Sequence, residues 1–164
     1  MSKIRTLYRN DTLMLADDDG ELYLIADNKQ YHITSQPYEP CMYLRCGDES
    51  EITVHNAFTT DTLCRLADSH GKATAMSGNE HDLGSLCSLL LLAVGCKRTS
   101  VDFDYLESLT VIENLHRLGA VSPETAADAQ ALGLCRTNFL RPFVHSKKLF
   151  VTQDGKYYLN TNKQ

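Results

Sequence analysis

Over the first 58 residues short runs of apolar and β-forming positions are separated by clusters of polar turn residues, the pattern of strands. Thr12-Leu13-Met14-Leu15 runs into the turn Asp17-Asp18-Asp19-Gly20. Glu21 to Ala26 then faces Lys29 to Thr34 across Asp27-Asn28, and both of those link residues tolerate positive φ, so a tight hairpin is predicted. Pro37 and Pro40 interrupt the pattern because neither has an N–H to give a ladder. It resumes at Cys41 to Cys46 and Ile52 to His55, with Gly47-Asp48-Glu49-Ser50 as the turn. Together these segments predict an antiparallel meander of four to six strands.

Helical spacing follows. Thr60 or Asp61 caps a helix through Leu63, Leu66 and Ala67 that ends near Gly71, and residues 72–80, small and polar without a period, read as a loop. Asp82 caps a second helix over about 83–94, apolar on nearly every side and therefore central to the core. Phe103, Leu106, Leu109, Ile112 and Leu115 mark a third, closed by Gly119. Beyond it, Ser122-Pro123-Glu124 is a helix start of cap, first-turn proline and acid, leading into an alanine-rich helix over 125–131 that stops at Gly133. A further short helix over 137–146 is expected. A hairpin is read last, from 149–152 to 156–159 around Asp154-Gly155.

The stretch 122–160 resembles the back half of a winged helix-turn-helix: an alanine-rich helix, the turn Leu132-Gly133-Leu134, a second helix and a wing from Phe150 to Leu159. The resemblance implies DNA binding, with the second helix in the major groove and the wing near the backbone. It assigns nucleic-acid contacts to Thr137, Asn138 and Arg141 on that helix, and phosphate contacts to Lys147, Lys148 and Lys156. Pro142 departs from the pattern, because a proline inside a continuous reading helix breaks its ladder. A helix that starts at Pro142 instead moves Thr137 and Asn138 off its face.

Composition narrows the class. The 164 residues, 43% hydrophobic and 23% charged, with 9 glycines and 4 prolines, exclude collagen, low-complexity disorder and a disulfide-dense miniprotein. The longest largely apolar run covers 14 positions, 83–96, short of the roughly 20 needed to span a bilayer. The net charge of −5 is split unevenly: ten Lys/Arg against twenty Asp/Glu over residues 1–133, net −10, and six against one over 134–164, net +5. An acidic body and a basic tail fit two different partners, or a tail that docks on its own body. Met1-Ser2-Lys3-Ile4-Arg5 has no apolar core of a signal peptide, and six cysteines without such a signal read as reduced thiols in the cytoplasm.

Candidate chemistry is sparse. Cys41, Cys46, His55 and Cys64 are four soft or borderline ligands within 24 residues, but Cys-x4-Cys on one strand turns its thiols to opposite faces, unlike a zinc knuckle. Cys64 and His70, six apart on a helix, also diverge. Pairings of Cys41 or Cys46 with His55 or His81 depend on the fold. Glu80-His81-Asp82 reads as a helix cap with two solvated neighbours, and the three contiguous acids before Gly20 fit a β-turn better than a calcium loop. No phosphate loop or nucleophile elbow is present.

The fold class expected is α+β in three regions: a β-meander over 1–58, helices over 59–120, and a winged-helix-like unit over 121–164. The function expected is non-enzymatic binding or regulation, without metal, cofactor or membrane. The acidic body would meet a protein or a second copy, and the basic tail nucleic acid or an acidic partner. Two alternatives stand beside it: a small enzyme with a Cys/His centre drawn from Cys41, Cys46, His55, Cys64, His70 and His81, and an inhibitor whose acidic body occupies a nucleic-acid-binding surface.

Overall fold

The computed structural model describes residues 3–161, so Met1, Ser2 and residues 162–164, with Lys163 of the basic tail, lie outside it. The chain forms two compact units: residues 1–76 with 80–106, and residues 77–79 with 107–164.

The meander dominates the first unit. Strands β1 (Ile4–Arg9), β2 (Met14–Asp18), β3 (Glu21–Ala26), β4 (Lys29–Ser35), β5 (Met42–Arg45) and β6 (Ile52–His55) pair in sequence order, each antiparallel to the next. Asp27 and Asn28 close β3 to β4 with φ of 51° and 62°, both in the left-handed region that a two-residue hairpin turn needs. At the acidic turn, Asp17 Oδ1 accepts the Gly20 N–H at 2.8 Å, so one of its acids is committed to the β-turn expected there.

Alternation puts Leu15, Leu22, Leu24, Ile33, Met42, Leu44 and Val54 on one face, all buried. Helices α1 (Thr60–Ser69) and α2 (Leu83–Gly95) cover that face. Between them lies a small ladder of β7 (Ala73–Thr74) and β8 (Glu80–His81), in a segment whose sequence predicts only a loop. β9 (Ser100–Asp102) then joins the sheet parallel to β6, a pairing that requires a long crossover, here supplied by the two helices. Two strands of this sheet have no clear sequence signal. β1 is a largely exposed edge strand without clean alternation, and β9 has three residues, too few to show a period.

Asp82 caps α2 as its position predicts, its Oδ1 accepting the Ser85 N–H at 2.8 Å. The helix buries Leu83, Leu86, Cys87, Leu89, Leu90 and Ala93. Burial pushes the Cys87 thiol up to about 12, with the Asp82 charge adding to the shift. A thiol raised in the fold contributes stability that is complete below its unfolded value, near 9, and is lost as pH rises toward the folded one. Alkaline unfolding is therefore expected to show a slope of about 1.4 kcal/mol per pH unit above that point, which Cys87→Ala removes; chemical denaturation at a series of alkaline pH values measures it.

α3 (Phe103–Leu118) begins in the first unit and continues into the second, where it buries Ser108, Val111 and Leu115 and is followed by Gly119 at φ 70°. The helix expected over 125–131 is absent, and turns take its place. A local pair of contacts and a distant one explain this. Thr125 Oγ1 accepts the N–H groups of Val121 and Ser122, 3.1 Å each, a side-chain alternative to helix bonding. Ala127 exchanges backbone hydrogen bonds with Tyr157, at 2.9 and 2.7 Å, which holds it extended. Only Asp128 to Gly133 then close a single turn.

The second expected helix is also shorter than its pattern. A 3-10 turn, Asn138–Leu140, leads into α4 (Arg141–His145), with Pro142 in its first turn, where a missing N–H costs nothing. The hairpin of β10 (Leu149–Val151) and β11 (Tyr157–Leu159) forms as read, one residue shorter on each arm.

Candidate functional site

The described cationic side chains of the tail lie on the segment before the 3-10 turn (Arg136), on α4, on the turn that closes it and on the hairpin. Arg141 is exposed at the start of α4, and His145, Lys147 and Lys148 are exposed at and beyond its end. Lys148 N–H bonds the Phe143 carbonyl at 2.9 Å and Lys147 N–H the Val144 carbonyl at 3.1 Å, a closing motif that needs a left-handed residue. Lys147 fills that place with φ of 63°. Asn160 fixes the same turn from the hairpin, its amide nitrogen donating to the Lys147 carbonyl at 2.8 Å. The Lys148 ammonium stands 4.9 Å over the Phe143 ring.

This is a backbone held in place under charges on long side chains. Among the described residues no carboxylate lies within ion-pairing distance of Arg136, Arg141, Lys147 or Lys148. Lys156 differs. Its ammonium is 3.8 Å from Asp154, whose carboxyl is held below its ordinary range first by the Thr152 hydroxyl, then by its own backbone N–H and by Lys156. Thr137 is half-buried and caps the 3-10 turn, and Asn138 is exposed within it, so neither lies on α4.

Arg136 is placed by a residue that no motif or spacing singles out. Asn79, 3% exposed, accepts the N–H groups of Cys135 and Arg136 on Oδ1 at 2.9 and 3.0 Å and donates to the Arg136 carbonyl at 3.2 Å. One amide thus satisfies three backbone groups. Asn79→Ala is expected to cost about 1–3 kcal/mol, because the buried partners lose their bonds, whereas Asn79→Asp keeps the two accepting contacts and costs less. Urea denaturation monitored by the tyrosines of the second unit tests this.

The first unit brings together one of the thiol–imidazole pairs that depended on the fold. Cys41 Sγ is 3.6 Å from His55 Nδ1, and His55 Nε2 is 2.7 Å from Ser100 Oγ. The register explains the meeting. Met42 opposes Val54 across the β5–β6 hairpin, so one step outward Cys41 faces His55, and the parallel β9 sets Ser100 opposite Thr53, two residues from His55 on the same face. The hairpin half of this is legible from the turn at 47–50; the Ser100 half is not, because β9 is too short to announce itself.

No family model, curated protein or solved structure matches this chain. Cys64, half-buried on α1, is raised by burial and then by Asp17 and Asp61, and His70 ends that helix in the left-handed region. His81 lies on β8 instead of in a loop, its Nδ1 2.7 Å from Ser85 Oγ and its ring edge-on to Phe103. All six cysteines are unbridged, and no group of three or more His, Cys, Asp or Glu among the described residues is placed to hold a metal ion. No helix there is long and apolar enough to cross a membrane.

Proposed function

We propose that the protein binds nucleic acid through the backbone phosphates, using Arg136, Arg141, Lys147 and Lys148 with Lys156 in support. The observation that carries this reading is the set of exposed cations Arg136, Arg141, Lys147 and Lys148, unpaired among the described residues, the last two on a turn fixed by hydrogen bonds from both α4 and the hairpin. A pre-ordered backbone lowers what association costs, while flexible side chains adapt to phosphate spacing.

Of the winged-helix pattern only the short α4 and the hairpin are present, since the helix expected over 125–131 is absent; the reading therefore rests on the cations, and the local geometry favours phosphate contact over base reading. A five-residue α4 rises only about 7.5 Å, too short to lay several side chains along a groove floor. Thr137 and Asn138 then flank the contact as polar neighbours and do not read bases. Phosphate contacts position a protein on a duplex and carry no direct sequence information.

Fluorescence anisotropy of the full chain with two labelled duplexes of unrelated sequence tests this. The expected result is binding to both, with affinities that agree within about threefold, since the contacts lie outside the base edges. Absence of binding to either duplex at low salt overturns the nucleic-acid reading, and a strong preference for one overturns the backbone reading.

A further inference from the structure

We infer that Cys41 is a thiol-exchange site, which reacts with small-molecule disulfides under the control of His55 and Ser100. The observation is a chain of three groups across the neighbouring strands β5, β6 and β9, with Cys41 just before β5: thiol sulfur, imidazole and hydroxyl, at 3.6 and 2.7 Å. The tautomer that carries its proton on Nε2 donates it to Ser100 Oγ and turns the Nδ1 lone pair toward the Cys41 sulfur. A base beside the thiol, itself oriented by a third group, is the arrangement that activates a cysteine nucleophile. Cys41 is half-buried, so the thiol remains within reach of a small reagent, and Ser100 is exposed.

The backbone keeps the three together. The Ala57 N–H donates to the Pro40 carbonyl at 2.7 Å, which clamps the chain just outside the Cys41–His55 step. Thr53 N–H bonds the Thr99 carbonyl at 2.9 Å and fixes β9, with Ser100, against β6. The remaining cysteines lack this setting. Among the described residues none of Cys46, Cys64, Cys87, Cys96 or Cys135 has an imidazole within hydrogen-bonding distance, and Cys87 is fully buried.

The step balances without another reactant. His55 takes the Cys41 proton, the thiolate attacks one sulfur of the disulfide RSSR, and the S–S bond breaks as the Cys41–S–S–R bond forms. The expelled RS⁻ recovers the proton from His55 and leaves as RSH. Two clefts of this unit, one lined by Tyr8, His70 and Gly84 and the other by Tyr23, His32 and Arg45, do not include Cys41, so the chemistry assigned is exchange with a small, mobile disulfide.

The test incubates the full chain with excess glutathione disulfide near neutral pH and follows mixed-disulfide formation at each cysteine by peptide mass spectrometry. Cys41 is expected to react about tenfold faster than Cys46 or Cys135, since neither of these has a base beside its thiol. His55→Gln should bring Cys41 down to their rate. Ser100→Ala should slow Cys41 severalfold while Ser100→Thr, which keeps the hydroxyl, retains the wild-type rate. Continued protection of the fully buried Cys87 reports in every variant that the first unit is folded. Equal rates at Cys41, Cys46 and Cys135 in the wild type overturn the inference, as does an unchanged Cys41 rate in His55→Gln.

Discussion

Arg141→Ala, Lys147→Gly and Lys148→Ala in one chain are expected to weaken binding to duplex DNA roughly a thousandfold at about 50 mM salt. Each phosphate that a cation neutralises releases close to one condensed counterion, and the gain from that release is greatest where salt is dilute. Removing three cations at once therefore takes away most of the affinity at low salt and much less at high salt. Glycine is the right replacement at 147. The position holds φ of 63°, so an L side chain there is strained and glycine relieves the strain. Arg141 and Lys148 are exposed, and their truncation changes stability by no more than about 0.5 kcal/mol each. The variant should thus melt close to the wild type while failing to bind, and a thermal melt beside the anisotropy titration separates the two effects. Loss of binding together with loss of the fold would assign the three residues to structure instead.

Leu90→Ala is expected to destabilise the first unit by about 3–4 kcal/mol. Leu90 is 1% exposed on α2, the helix that covers the buried face of the meander against β1, β3 and β6. Truncation removes apolar area and leaves a cavity under a helix packed on strands that their ladders hold in place, so the site cannot easily close. Against a typical total of about 5–15 kcal/mol this is a large fraction. Leu118→Ala, at a position 49% exposed, should shift stability by no more than about 0.5 kcal/mol. Urea denaturation of the two variants gives the comparison, with similar m-values expected because the surface exposed on unfolding hardly changes. A Leu90→Ala variant as stable as the wild type would remove α2 from the core.

Short-range patterns made the local elements legible in the sequence. The β3–β4 hairpin follows from two turn residues that accept positive φ, the buried face from alternation, and α2 from a capping aspartate before an all-round apolar run. Distant contacts decided the elements that the sequence hides. Residues 125–131 have helix-forming alanines, yet Ala127 is held extended by Tyr157, thirty residues later, and no local propensity competes with two backbone hydrogen bonds. β9 is three residues long and exists because β6 offers it a parallel edge. The sites divide in the same way. The cations of the tail are visible as composition, but their separation from carboxylates is a property of the fold. Cys41 and His55 are legible in principle from the hairpin register, Ser100 is not, and Asn79 carries no signal because its partners are backbone groups 56 and 57 positions away.

Phosphate binding by the tail cations is read directly from the salt dependence of the wild-type affinity for duplex DNA. Four to five contacts predict a slope of log-affinity against log-salt between about −3.6 and −4.5, so a rise from about 50 to about 200 mM weakens binding roughly 150- to 500-fold. A fall of less than about tenfold, which corresponds to fewer than two contacts, would contradict it.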